Sequence, residues 1–244
     1  MDLVSICIPT YNRAKYIGGA IESCLRQTYE NVEVLVVDDK STDNTQKILK
    51  KYNKNPRVRV FANRKNYGAA VSFNKAFRES RGEFIVMCGD DDYLSPHSIE
   101  RRIESFSPEL DIVYGIVKNF YSYKTLNWCI KNKLHKQKRD IAGHGVMFRR
   151  RVFEKYGLFY KKLRLNEDME YWYRIGMARR NGKKRMVGLS YKKIPVLCAY
   201  VRIHKGSFAH QISAEGKKRE KRLINARMAQ INNEGITKRN TEFL

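Results

Sequence analysis

Glu83-Phe84-Ile85-Val86-Met87-Cys88-Gly89-Asp90-Asp91-Asp92, residues 83–92, joins an apolar run to three consecutive carboxylates. The run lies between Gly82 and Gly89 and reads as a buried strand. Three negative charges at the end of such a strand cost free energy unless a cation neutralises them. A hard divalent metal does so through carboxylate oxygens and often shares itself with a phosphate. Residues 90–92 are therefore a candidate metal–diphosphate site. A plainer reading has Asp92 or Ser95 capping a helix that Pro96 begins. One acid would suffice for that, and three are present.

Upstream the same pattern repeats. Residues 3–8, 32–37 and 57–61 read as strands, the second ended by Asp38-Asp39. Between them, Ile17, Ala20, Ile21, Cys24 and Leu25 fall at helical spacing. Ile48, Leu49 and Tyr52 form a stripe behind a cap at Ser41 or Asp43, and residues 69–79 read as a third helix. Strands alternating with helices imply right-handed crossovers, hence an α/β fold with a Rossmann-like, mostly parallel sheet and helices on both faces. Ligands of such sheets bind beyond the carboxyl ends of the strands. Thr10-Tyr11-Asn12, Asp38-Asp39 and the acid triplet would then share one rim.

Downstream the pattern is less regular. Residues 111–120 and 192–202 read as strands, and 150–156 as a helix stopped by Gly157. Residues 126–140 read as a basic loop or short helix containing Trp128. Asn166 is placed to cap a helix over 167–180, closed by Asn181-Gly182, and 213–232 read as a basic helical tail with sparse apolar residues. With no repeat and no linker, we expect one continuous domain in parts: 1–100, 101–212, and a tail over 213–244.

The 244 residues carry a net charge of +24, distributed unevenly. Residues 1–100 hold 15 Lys+Arg against 13 Asp+Glu, whereas 101–244 hold 34 against 12. A field confined to one part of the chain points to a polyanionic partner: anionic lipid, phosphorylated glycan or nucleic acid. Apolar stretches are only strand-sized, so no membrane-spanning helix is expected. Cys7, Cys24, Cys88, Cys129 and Cys198 are scattered and odd in number. Buried free thiols and a cytoplasmic setting follow, without zinc or disulfides.

Together these motifs resemble the family 2 glycosyltransferases of the A-type (GT-A), nucleotide-sugar-binding fold. The matching segments are Ser5-Ile6-Cys7-Ile8-Pro9-Thr10-Tyr11-Asn12-Arg13, Val36-Val37-Asp38-Asp39, Asn66-Tyr67-Gly68 with Asn74, and Arg81-Gly82-Glu83-Phe84-Ile85. Residues 143–150, Glu167-Asp168 and Tyr200-Val201-Arg202-Ile203-His204 continue the series, which spans about residues 3–210 in the family's order. The resemblance implies a metal-dependent, inverting transfer from a nucleotide sugar, with UDP as the nucleotide and Mn²⁺ or Mg²⁺ as the ion. It implies that Tyr11, in the loop after Pro9, stacks on the base and that Asp39 bonds uracil. Arg13 would reach base or phosphate, while Asn66 and Gly68 shape the loop facing the nucleotide. Counting back from Pro96 makes Asp91 the metal ligand, with Gly89 where the first acid of the motif often lies. Asp90 would then be nearest the ribose, Asp92 would support or share the ion, and His204 would approach ion or diphosphate; assignment within the triplet stays open by one residue. Asp168, second of the pair with Glu167, would be the general base; the plainer role is decoration of a helix dipole, worth under about 1 kcal/mol.

The family's usual acceptors are growing cell-surface glycans on lipid carriers, which would place a peripheral enzyme at the inner face of the membrane. A rival acceptor is a hydroxylated base in DNA, stacked on Phe120, Tyr121, Tyr123 and Trp128. A non-catalytic polyanion-binding module accounts for the charge but not for the acidic rim.

Overall fold

The computed structural model describes residues 1–121, 143–164, 167–177, 179–180, 183–184, 188–204 and 213–234. Strands β1 (Val4–Thr10), β2 (Val32–Asp38), β3 (Val58–Ala62) and β4 (Phe84–Met87) alternate with helices α1 (Ile17–Leu25), α2 (Thr45–Leu49) and α3 (Ala69–Glu79). The second half adds β5 (Tyr93–Leu94), α4 (Ser98–Ile103), β6 (Ile112–Phe120), β7 (Val146–Arg149), α5 (Arg151–Tyr156) and α6 (Glu167–Arg174). A small hairpin of β8 (Arg179–Arg180) and β9 (Lys183–Lys184), strand β10 (Tyr191–Arg202) and helix α7 (Ala214–Glu234) complete the order.

Eight strands form one sheet in the order β3-β2-β1-β4-β7-β6-β10-β5. The pairs β1–β2, β1–β4, β2–β3 and β6–β10 are parallel; β7 runs antiparallel to β4 and β6, and β5 antiparallel to β10. Every residue of β2 and β4 is buried because helices cover both faces. Glu33 tolerates this in β2 because Ser5 Oγ, the Arg81 N–H and Arg59 Nη1 bond its carboxylate at 2.6, 2.6 and 3.3 Å.

One core cluster packs Phe73, Phe77, Phe148, Phe153, Tyr171 and Trp172 around α3, α5 and α6. On the other face α1 and α4 contribute Ile17, Ile21, Cys24 and Ile99. Asn74 of α3 exchanges two bonds with the backbone of Phe159, at 2.8 and 2.9 Å. That pair fixes the segment leading to α6 against the first half of the chain.

The helix expected over 167–180 ends at Arg174, since Gly176 adopts φ 78° and the hairpin β8–β9 begins soon after. Asn181 and Gly182, expected to close that helix, lie outside the described residues. Gly157 takes φ 75° after α5, as expected of a terminator. Strand β7 was not expected, because it is only four residues long. Cys7, Cys24, Cys88 and Cys198 are buried free thiols. Asn166, Trp128, Tyr123, Cys129 and the 126–140 segment lie outside the described residues.

Candidate functional site

At the carboxyl ends of β1, β2 and β4 lies a cleft of about 290 Å³. Pro9, Tyr11, Arg13, Asp39, Asn66, Gly68, Asp90, Asp91, Asp92 and Glu167 all line it. His204 and Asp168 stand just outside this lining set.

Three loops make the walls. After β1, Asn12 adopts φ 52°, and its side-chain oxygen accepts the Thr42 N–H at 2.8 Å. Ser41 Oγ and Thr45 Oγ1 accept the N–H groups of Asn12 and Arg13 at 2.9 and 2.8 Å. These bonds stitch the Tyr11 loop to the loop after β2 and hold the Tyr11 ring on the rim, 38% exposed. Asp38 serves the turn, accepting from the Ser41 N–H and Gln46 Nε2 at 3.1 Å each.

Asp39 also serves a turn. Asp39 is 4% exposed and accepts the N–H groups of Tyr67 and Gly68 at 3.0 and 2.6 Å, plus Asn63 Nδ2 at 2.8 Å. It thereby holds the loop that starts α3, where Gly68 sits at φ 97°. Such a conformation favours glycine, and a Cβ there would also meet the Arg164 stem at 3.4 Å. Asp39→Asn sets an amide N–H₂ or a weaker acceptor against two backbone donors. The expected cost is about 1–3 kcal/mol, measured by denaturant unfolding. Unchanged stability would show that Asp39 does not carry this loop.

The acid triplet divides its work. Asp92, 2% exposed, accepts the Arg202 N–H at 2.7 Å, and its other oxygen lies 3.0 Å from His144 Nδ1. Its carboxylate fills the space a side chain at Gly89 would need, which explains the glycine there. Asp90 accepts the Tyr11 N–H at 3.3 Å, and Arg13 Nε lies 3.5 Å from it. Asp91 Oδ2 is 2.8 Å from His204 Nε2 and 3.9 Å from Arg13 Nε. Burial, then the neighbouring Asp91 charge, push Asp90 up to about 7 and Asp92 well above the usual carboxylate range. Burial also lowers His144, so its contact with Asp92 is a hydrogen bond of a neutral imidazole.

Sequence reasoning passed over His144 and Arg202. Arg202 donates to the Asp91 carbonyl at 3.1 Å and to the Tyr93 hydroxyl at 3.2 Å, and its guanidinium covers the rings of Phe120 and Tyr16 at 4.4 and 4.9 Å. It clamps the acid loop to β10. The only signal was their place inside two quoted motifs, residues 143–150 and 200–204.

Across the cleft stands the start of α6. Glu167 is raised to about 8, by burial first and then by the charge of Asp168. Asp168 Oδ1 accepts the Met169 N–H at 2.8 Å, and its charge reaches His144. Among the described residues, no three His, Cys, Asp or Glu side chains converge on one ion position. Mg²⁺-type ions do not require such a cage; one or two carboxylates plus substrate phosphates suffice. Asp91, which lines the cleft beside His204, matches that donor set.

The chain matches the family model "Glycosyl transferase family 2" over residues 5–157. It is 38% identical to chondroitin synthase of Escherichia coli over 161 residues, 63% of this chain and 23% of that protein's length. The fold is similar to that of S. aureus TarS in complex with UDP-GlcNAc, with TM-score 0.70 and 19% identity over 94% of this chain and 67% of the other. It is also similar to the mannosyltransferase PcManGT of Pyrobaculum calidifontis in complex with GDP-Man and Mn²⁺, with TM-score 0.67 and 19% identity over 94% and 64%. The chain thus spans about a quarter of the curated relative's length.

Proposed function

The chain belongs to glycosyl transferase family 2, and from that premise we propose that it moves a sugar from a UDP-sugar to a hydroxyl of a glycan acceptor, inverting the anomeric centre with the help of a divalent ion. The observation that carries this reading is the single cleft in which Tyr11 and Asp39, the acid triplet and Glu167 meet. Residues 1–100 supply its donor walls, and 101–212 add Glu167 to the lining with Asp168 beside it.

Tyr11 offers its exposed ring to the base, and Asp39 offers a carboxylate oxygen to the uracil imide N–H. Pro9, Asn66 and Gly68 shape that pocket. Asp90, tied to the Tyr11 N–H, faces the ribose, and Arg13 faces the phosphates. Asp91, beside His204, would hold Mn²⁺ or Mg²⁺; Asp92 supports the loop through His144 and Arg202. A bound ion would neutralise the diphosphate leaving group. Asp168 would take the acceptor proton as the hydroxyl oxygen attacks the anomeric carbon and the bond to the diphosphate breaks. The UDP-GlcNAc and GDP-Man–Mn²⁺ complexes of the structural neighbours support the donor and the ion, and the chondroitin synthase relative supports a polysaccharide acceptor.

The DNA reading loses part of its basis, since Phe120 is 0% exposed beneath Arg202 and offers no stacking face. A bare polyanion-binding module leaves the acidic cleft without a ligand.

Thermal unfolding with UDP is the direct test. At about 100 times its dissociation constant a ligand adds about 2.7 kcal/mol, or roughly 5–10 °C for a domain of this size. The shift should need Mn²⁺ or Mg²⁺ and should collapse on chelation. Absence of a UDP shift with metal present would overturn the donor assignment; an undiminished shift in chelator would overturn the metal.

A further inference from the structure

Helix α7 distributes its charge according to how it docks. Glu220, Arg227, Met228 and Ile231 are buried and fall on one face. Glu220 Oε2 accepts the Arg164 N–H at 3.0 Å. Arg227 Nε lies 4.0 Å from Glu170 Oε1 of α6, and its guanidinium lies 5.0 Å from the Tyr160 ring centroid. The helix is therefore anchored to α6, which bears the acid pair, and to the segment that enters it. Away from those contacts, Lys217, Lys218, Arg219, Lys221 and Arg222 are exposed, as is Lys162 two residues before Arg164. Glu215 is an exposed acid at the helix start. Arg164 joins this basic strip to the cleft, its Nη1 and Nη2 3.5 and 3.3 Å from the side-chain and backbone oxygens of Asn66.

From this juxtaposition we propose that the exposed basic face of α7 is a binding track for an anionic acceptor glycan, bearing carboxylates or phosphates, whose end reaches Glu167 and Asp168. The inference rests on the glycosyltransferase reading of the cleft and names its acceptor class. Five cations within six residues repel one another unless an anion lies along them. A flexible polyanion is complementary to such a strip and is drawn to it over a Debye length.

An anionic membrane has the same charge but needs a different helix. Interfacial helices sink an apolar face into the headgroup region. In α7, Met228 and Ile231 face protein and Leu223 and Ile224 are half-buried. None of the exposed large apolar side chains of the described residues belongs to α7.

The test compares the full chain with the variant Lys218→Glu/Lys221→Glu/Arg222→Glu. A matched control, Lys47→Glu/Lys50→Glu/Lys51→Glu, reverses three exposed cations on and just after α2. Probes are polygalacturonate, phosphorylated dextran, phosphatidylglycerol-rich vesicles, duplex DNA and UDP with Mn²⁺. The chain should bind at least one of the two glycans more weakly as salt rises. The α7 variant should lose about tenfold or more of that affinity, with the control and all UDP affinities unchanged. Equal loss in both variants, no loss in the α7 variant, or tighter binding to vesicles or DNA than to either glycan would overturn the track. The polygalacturonate and dextran arms separate carboxylate from phosphate recognition. Failure of the unsubstituted chain to bind UDP would overturn the reading of the cleft instead, on a separate probe.

Discussion

Asp168→Asn is expected to reduce sugar transfer by about 10²–10⁴-fold while leaving UDP affinity and unfolding temperature unchanged. The amide has the shape of the carboxylate, and its oxygen can still accept the Met169 N–H. What it cannot do is take a proton from a sugar hydroxyl. Asp168 stands outside the lining of the donor cleft, where the incoming acceptor would need its base. Glu167 provides the internal comparison. Held near 8 by burial and by Asp168, it is largely protonated at pH 7 and accepts no proton there. Glu167→Gln copies that neutral form and should keep most activity at pH 7. Folding favours protonated Glu167, so its contribution to stability is present below the ordinary carboxylate pKa and is lost as pH rises through about 8. Relative to the parent chain, the Gln variant should therefore gain stability as pH rises from the ordinary carboxylate range to about 8 and keep that gain above it, read by thermal unfolding across pH. Transfer followed by UDP release across pH 6–9 checks both variants. If Glu167→Gln proves the more damaging of the two, the base is Glu167.

The α/β alternation was legible because the strands at 3–8, 32–37 and 83–88 are near-continuous apolar runs and the early helices keep a stripe, as in Ile17, Ala20, Ile21 and Cys24. The cleft was legible for the same reason: in a parallel sheet, polar residues that end strands must gather on one edge. Antiparallel β7 was not, since Val146-Met147-Phe148 carries no period that distinguishes a four-residue strand from a loop. His144 and Arg202 were missed because their partners, Asp92 and Asp91, lie 52 and 111 positions away in sequence. Charge counting located the basic half, but it could not show that α7 turns Glu220 and Arg227 inward. That depends on the segment holding Tyr160 and Arg164, which has no periodicity of its own.

Glu170→Ala is expected to cost about 3–5 kcal/mol, a fall of roughly 6–20 °C in unfolding temperature. Glu170 and Arg174 are 0% and 1% exposed, joined by two bonds of 2.9 Å. Arg174 also donates to the carbonyls of Tyr156 and Leu158 and covers the Tyr171 ring, while Arg227 approaches Glu170 from α7. Removing the carboxylate strands two buried cations, and that penalty exceeds the net worth of the ion pair. Glu170→Met/Arg174→Leu, which removes both charges and keeps the volume, should recover much of the loss. A single variant within about 1 kcal/mol of the parent chain would show that the carboxylate is not needed there. Three acids open α6, and the sequence reading of dipole decoration covers only the pair Glu167-Asp168. Burial sets Glu170 apart as the acid that holds the helix to α7, whereas Glu167 and Asp168 stay half-buried at the cleft end of the helix. Because Glu170 and Arg227 join the helix of the acid pair to the basic track, damage at Glu170 should weaken glycan binding and transfer together and spare UDP.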